Sequence, residues 1–192
     1  MPPEGGTQNF IQMSQPVENY IPQDFTEYFR KQAWKVWVIS LLVVFAWVFA
    51  ILLAPLAKAN GFENLGAPIY KFFSFICHQM DSRSFHIENN QFAVCARCFG
   101  VYFGLLFGFV IYPFLRKVDE IEPLPRFWLF LAMIPIAVDW SLGAFDIWEN
   151  THLSRFMTGL ILGAACAIYI VPALVEIFRL TTGRRKLKRL SS

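Results

Sequence analysis

Four long apolar stretches, separated by shorter polar segments, dominate the hydrophobic pattern of the chain. Each is long enough to cross a hydrocarbon core of about 30 Å, which takes roughly 20 apolar residues in a helix. The pattern therefore predicts an all-α, polytopic membrane protein. Its four transmembrane helices are expected at about residues 36–56, 94–115, 127–145 and 156–178.

A fifth apolar segment, residues 67–78, lies between the first two predicted spans and is too short to cross a bilayer. Its length and composition predict a short re-entrant or interfacial helix. The segment ends at Cys77 and His78. A polar turn from Asp81 to Asn90 then leads back to Cys95, at the start of the second span.

The two ends of the chain differ from this apolar region. Residues 1–23 are polar and rich in Gly, Pro, Gln and Asn, with no sustained period, which predicts a mobile leader. They lack the basic start, apolar run and cleavage site of a secretory signal, so we expect the first span to be retained. Residues 24–180 form the predicted membrane domain, and residues 181–192 form a basic tail.

Composition indicates the class of protein, and the distribution of charge indicates how the chain is oriented in the membrane. With 56% apolar and 17% aromatic residues among 192, the chain is too apolar for a soluble domain. Most of the 17 lysines and arginines fall on one side of the predicted spans, and short basic segments stay in the cytoplasm. We therefore expect a prokaryotic cytoplasmic membrane protein with both termini cytoplasmic and Cys77, His78, Cys95 and Cys98 on the extracytoplasmic side.

This sidedness also explains the net charge of +3 without nucleic-acid binding. The basic tail is typical of a membrane-proximal anchor, and it predicts binding to anionic lipid headgroups.

Three cysteines and a histidine flank the polar turn, as Cys77-His78 and as the pair Cys95 and Cys98 in a Cys-Ala-Arg-Cys run. A Cys3His set suits tetrahedral zinc, with His86 in the turn as an alternative ligand. A closed set of four ligands would make the metal structural. An open position would admit water or substrate and make hydrolysis feasible.

The same cysteines support two other hypotheses. Cys95 and Cys98 project from one face in the first turn of a helix, where unpaired N–H groups and Arg97 favour a thiolate. A membrane thiol–disulfide oxidoreductase using the Cys95/Cys98 pair, with exchange to Cys77, is therefore the alternative to a metal site. An inert disulfide, within the Cys95–Cys98 pair or between one of its members and Cys77, or free thiols, would be the third outcome. Cys166, mid-span among alanines, is expected to serve packing.

Charged residues near the same end indicate a polar centre. Asp139 lies inside the third predicted span, where an unpaired acid is costly, so a partner is expected from Arg155 or Arg97. Together with Arg83 in the polar turn, these residues would support the cysteine site. A small carrier or channel subunit is the third functional hypothesis, and four spans would then need a homo-oligomer or a larger membrane complex to enclose a path.

Small residues recur at four-residue spacing in the second and fourth spans. Such glycines let helices approach closely in lipid. We expect helix packing at Gly100, Gly104, Gly159 and Gly163.

The runs CHQMDSRSF, VCARCFGVYFG, IPIAVDW and ENTHLSRFMTGLILG resemble a family of prokaryotic membrane proteins, the domain of unknown function two thousand and eighty-five. The resemblance covers about residues 72–165. It implies a shared site but brings no reaction, so the sequence assigns no enzymatic activity. The matching positions are Cys77, His78, Gln79, Arg83, Ser84, Cys95, Arg97, Cys98, Gly100, Tyr102, Gly104, Asp139, Arg155, Gly159 and Gly163.

Overall fold

The computed structural model describes residues 23–122, 124–145 and 147–190, and the side chains of these residues from 27 to 182. The predicted leader, apart from residue 23, lies outside the described residues. So do the side chains of the predicted basic tail beyond residue 182.

Five helices and one small hairpin make up the described fold. Four of the helices are long and apolar enough to span a membrane, which confirms the predicted all-α class with four spans and a short additional helix. The orientation of the termini stays a prediction. In chain order the elements are α1 (Gln23–Ala59), α2 (Glu63–Ser74), a 3₁₀ turn (Asp81–Arg83), β1 (His86–Ile87), β2 (Asn90–Gln91), α3 (Ala96–Leu115), α4 (Phe127–Ala144) and α5 (His152–Leu190).

The first and last long helices extend beyond the apolar stretches that predicted them. Helix α1 extends back to Gln23, well before the predicted span. It can do so because residues 23–36 contain no glycine or proline that would interrupt a helix. A Glu27–Lys31 ion pair of 3.1 Å, one helical turn apart, links two side chains of this polar extension.

The short helix α2 lies earlier in the chain than the segment 67–78 predicted for it. It ends at Ser74, where the backbone tightens and the N–H of Phe75 donates to the carbonyl of Phe72. Cys77 and His78 therefore follow the helix instead of forming its last turn. This gives the chain between α2 and the 3₁₀ turn freedom to direct Cys77 toward α3.

Helices α3 and α5 form the most extensive contact of the fold, through glycines on both sides. A Cβ atom added at Gly104 would lie 2.2 Å from the carbonyl oxygen of Leu160, and one at Gly163 would lie 2.0 Å from that of Val101. Gly100 and Gly159 lie in the same seam. Because no side chain larger than hydrogen fits there, the backbones approach directly, as small residues permit in lipid.

Helix α4 contributes almost nothing to the buried core. Among its residues only Asp139 is buried, at 7% exposure, while bulky apolar side chains such as Phe130 and Trp140 are exposed. A surface of this kind suits contact with lipid tails. Polar contacts made by Asp139 therefore have a large part in joining α4 to the other helices.

A cluster of buried residues next to the cysteines connects α1, α2 and the segment before α3. It contains Ile51, Phe73, Cys77, Phe92 and Val94. The hairpin β1–β2 pairs His86 with Gln91 and Ile87 with Asn90 in antiparallel register. This packing fixes the chain on both sides of the cysteine site.

Candidate functional site

Cys77 and Cys95 meet at the start of α3. Their Sγ atoms lie 3.4 Å apart, and the backbone N–H of Cys95 donates a hydrogen bond of 3.2 Å to Cys77 Sγ. Cys95 is the N-cap residue of α3, where amide groups lack carbonyl partners within the helix. The end of α3 thus points a donor at the Cys77 sulfur.

Gln79 holds the two cysteine segments together. Its side-chain amide donates hydrogen bonds of 2.8 Å to the carbonyls of Tyr70 in α2 and of Ala93 just before Cys95. Its backbone has φ of 48°, in the left-handed region that non-glycine residues rarely occupy. Such backbone strain clusters at functional sites. Here it occurs two residues after Cys77.

The surroundings of Cys77 favour its thiolate. Hydrogen bonding with the Cys98 thiol, and then with the N–H groups of Cys95 and Gln79, lowers the pKa of Cys77 from 9.0 to about 5, although burial opposes this change. Burial and the neighbouring Cys77 raise the pKa of Cys95. The centre therefore makes Cys77 more acidic than its neighbour Cys95, which is the arrangement expected of a nucleophilic cysteine.

A cavity of about 190 Å³ lies against this centre. Cys77, Cys95 and Cys98 line it together with the exposed His78, so the structure brings the four residues of the predicted Cys3His set to one place. The alternative ligand His86 does not line the cavity. Its Nε2 lies 2.9 Å from the Asp81 carboxylate.

The predicted metal set is not arranged as a metal site in the described part of the chain. No group of three or more His, Cys, Asp or Glu side chains among those residues has an arrangement that would hold a metal ion. The described cysteines, Cys166 in α5 included, are all free thiols. Metal binding stays a prediction, and it would require the side chains to move.

Asp139 of α4 pairs with Arg97 of α3, one of the two partners considered from the sequence. The carboxylate also accepts a hydrogen bond of 2.8 Å from Ser154 of α5, and the side-chain amide of Asn150 donates to the Asp139 backbone carbonyl. Arg155 makes no ion pair with any described residue. Three elements thus meet at one buried carboxylate.

The remaining predicted arginines lie close to this pair. Arg83, in the 3₁₀ turn, and Arg155, in the first turn of α5, line the cysteine cavity together with Arg97. All the predicted polar-site residues therefore belong to one end of the fold, next to the thiols.

Sequence reasoning missed the residues that orient this site. Asn150 precedes α5 and Ser154 lies in its first turn, and in the sequence both are ordinary polar residues. Their spacing from Asp139 gives no periodic signal. Gln79 stood in the family motif, but its role depends on the left-handed backbone. A polar residue immediately after a Cys-His pair was the only available indication.

Comparisons with known proteins support the membrane class. A family model described as "Predicted membrane protein (DUF2085)" matches residues 77–169, which begin at Cys77 and include the polar site. An uncharacterized protein of Methanocaldococcus jannaschii is 37% identical over 148 residues, 74% of this chain and 95% of that protein. An uncharacterized protein of Methanothermobacter thermautotrophicus is 33% identical over 96 residues, half of this chain and 85% of that protein. No solved structure is a significant match.

Proposed function

The chain belongs to the family of predicted membrane proteins DUF2085, and we propose that it is a membrane thiol–disulfide oxidoreductase with Cys77 and Cys95 as its reacting pair. The observation that supports this proposal most directly is the 3.4 Å separation of the two Sγ atoms. The backbone N–H of Cys95 also donates a hydrogen bond to Cys77 Sγ. The sequence hypothesis used Cys95 and Cys98. The geometry favours Cys77 with Cys95.

The reaction needs a disulfide in another molecule as its co-substrate. The Cys77 thiolate attacks one sulfur of that disulfide, forms a mixed disulfide and releases the other sulfur as a thiolate. Cys95 then loses its proton and attacks Cys77 Sγ, which forms the Cys77–Cys95 disulfide and releases the second thiolate. Two electrons pass from the protein to the co-substrate; Cys95 supplies one proton, and a second proton from water is taken up when both released thiolates become thiols. The reverse sequence would regenerate the dithiol.

Cys77 is the better nucleophile of the pair. Its pKa of about 5 keeps it ionised at neutral pH, whereas the pKa of Cys95 is raised. Cys98 lies on the same cavity and its hydrogen bond is the largest contribution to the thiolate of Cys77. Cys98 therefore activates the attacking sulfur, while Cys95 resolves the mixed disulfide.

The experiment traps the first intermediate. The Cys95→Ser variant is purified in reduced form, mixed with oxidised glutathione and analysed by peptide mass spectrometry. We expect one glutathione on Cys77, because the resolving thiol is absent. In the Cys166→Ser control, glutathione should be released and a protein disulfide should form. Glutathione on Cys98 with Cys77 unmodified would contradict the proposal.

A zinc or similar soft-metal site is the second candidate. It is favoured by the presence of Cys77, His78, Cys95 and Cys98 on one cavity. Elemental analysis of protein purified without chelator tests it, with Cys166→Ser as the matched cysteine variant. About one zinc per chain that is lost in Cys98→Ser and retained in Cys166→Ser would support this candidate. Wild-type protein that contains no metal and has reactive thiols would rule out the metal site.

The remaining hypotheses stay predictions. They are a carrier or channel role, a homo-oligomer or larger membrane complex, and binding of anionic lipid headgroups by the basic tail.

A further inference from the structure

Three arginines from separate elements surround two adjoining cavities next to the thiols. Arg83, Arg97 and Arg155 line the cysteine cavity of about 190 Å³ and also a second cavity of about 180 Å³. A third and larger cavity, about 630 Å³, shares Arg83 and Arg155 with them. The arginines are therefore the wall that these adjoining cavities share.

The positive charge at this wall is not neutralised by the described residues. Asp139 is the one carboxylate among them in an ion pair with any of the three arginines, and its partner is Arg97. The three positive charges, set against the carboxylate of Asp139 and the ionised Cys77, leave +1 at neutral pH. Glu149 lines the larger cavity, yet it makes no ion pair with Arg83 or Arg155 in the described part of the chain.

Asp139 makes its direct contacts with Arg97 and Ser154, and it forms no ion pair with Arg83 or Arg155 in the described part of the chain. One carboxylate oxygen binds Arg97 and the other accepts from Ser154. Arg97 itself retains a buried Nε–H that has no hydrogen-bond partner among the described residues. A buried donor without a partner is costly, which indicates that a ligand oxygen completes it.

The helix geometry adds to this positive potential. Arg97 lies in the first turn of α3 and Arg155 in the first turn of α5. The amino ends of these two long helices carry partial positive charge and free N–H groups, which attract anions.

We infer that Arg83, Arg97 and Arg155 form a binding site for a phosphate-type oxyanion, either free phosphate or the phosphomonoester group of a lipid or other molecule. Arginine matches such a group by paired N–H donors. The three guanidinium groups and their remaining positive charge suit a phosphomonoester, which carries about −1.5 to −2 at neutral pH. The two smaller cavities fall below the 300–1,000 Å³ of ordinary ligand pockets. They therefore suit the anionic group, and the larger cavity gives room for the rest of the molecule.

The inference goes beyond the thiol chemistry and does not depend on it. Oxyanion binding is measured without any redox step, so either proposal can fail while the other stands.

The test uses the full-length protein in nanodiscs of phosphatidylcholine, titrated with inorganic phosphate by calorimetry at low salt. We expect saturable binding, which weakens about tenfold or more in Arg83→Gln/Arg155→Gln because two charge-assisted contacts are lost. Arg155→Lys keeps the charge but loses the paired N–H donors. Its phosphate affinity should lie between those of the wild type and the double variant. Arg126→Gln, an exposed arginine at the start of α4, is the matched control and should bind as the wild type does.

A second set of nanodiscs containing phosphatidic acid distinguishes the sources of the oxyanion. If the lipid phosphomonoester occupies the site, the affinity for free phosphate falls there by competition. If it does not fall, the site takes free phosphate or a soluble phosphomonoester. Helical circular dichroism confirms that each variant is folded. Absence of saturable phosphate binding in phosphatidylcholine, or equal binding by the folded double variant, would overturn the inference.

Discussion

Arg97 of α3 is ion-paired with Asp139, the one buried residue of α4. The pair joins the helix that carries the cysteine site to the helix with the least buried surface. Since no hydrophobic driving force brings helices together in lipid and α4 buries little surface, a polar contact of this kind has a large share in holding α4. The pair therefore connects the stability of the bundle with the geometry of the site.

Replacement of Arg97 by Gln should destabilise the protein more than replacement of Asp139 by Asn. Loss of Arg97 leaves a buried carboxylate, a change that costs about 3–5 kcal/mol. Asp139→Asn leaves the less buried Arg97, and it should cost about 1–2 kcal/mol, the range of interhelical hydrogen bonds in membranes. Unfolding by SDS in mixed micelles measures both. Arg126→Gln is the control, and additive effects in the double variant would contradict direct pairing.

Enlargement of Gly104 should separate α3 from α5. An added Cβ atom would lie 2.2 Å from the Leu160 carbonyl oxygen and 2.8 Å from Leu160 Cα, and neither backbone atom can give way cheaply. We expect Gly104→Ala to lower the melting temperature in detergent clearly. Val110→Ile adds one carbon on an exposed position of the same helix and should leave it nearly unchanged. Equal melting temperatures for Gly104→Ala and Val110→Ile would show that the seam is looser than described.

The alkylation of Cys77 should follow its lowered pKa. Only the thiolate reacts, so the rate with iodoacetamide should stay near its maximum down to roughly one unit above the pKa, and fall by half at about pH 5. Cys98→Ala removes the largest stabilising hydrogen bond, so it should raise this midpoint, while Cys166→Ala should not. The measurement is site-resolved mass spectrometry across pH. A midpoint above pH 8, near the ordinary pKa of a free cysteine, would contradict an activated Cys77.

The predicted orientation can be tested at two exposed positions on opposite ends of the fold. In a background with the native cysteines changed to Ser, we expect an impermeant maleimide to label Ser82→Cys in intact cells. Lys117→Cys should react only after lysis, because charge bias places it in the cytoplasm. The reverse pattern would invert the topology and would move the cysteine site to the cytoplasmic face.

The sequence was sufficient for the spans and for the location of the polar centre. Apolar length alone identifies helices that cross a bilayer, and the cost of a buried acid identifies Asp139 as a residue that needs a partner. The choice between Arg97 and Arg155 was not accessible, because it depends on how α3, α4 and α5 are arranged around the acid. That arrangement follows from the α3–α5 glycine seam and the hydrogen bonds of Ser154 and Asn150.

The contact between Cys77 and Cys95 was one of several alternatives that the sequence left open, and it could not be singled out for a different reason. Sequence spacing joins Cys95 to Cys98, since both would lie on one helical face. The structure makes Cys95 the N-cap of α3, and Gln79, with its left-handed backbone, ties the segment after Cys77 to Ala93 by a hydrogen bond. No pattern marks a left-handed non-glycine residue, so this contact depends on tertiary structure alone.

The most direct test of the proposed chemistry is the mapping of the disulfide that forms when reduced wild-type protein is treated with oxidised glutathione. Non-reducing digestion and mass spectrometry identify the linked peptides, with the remaining thiols alkylated. We predict a Cys77–Cys95 linkage that reducing agent reverses, with Cys98 and Cys166 alkylated. A Cys95–Cys98 linkage with Cys77 alkylated would contradict this account. So would Cys77, Cys95 and Cys98 all staying reduced in the presence of oxidised glutathione.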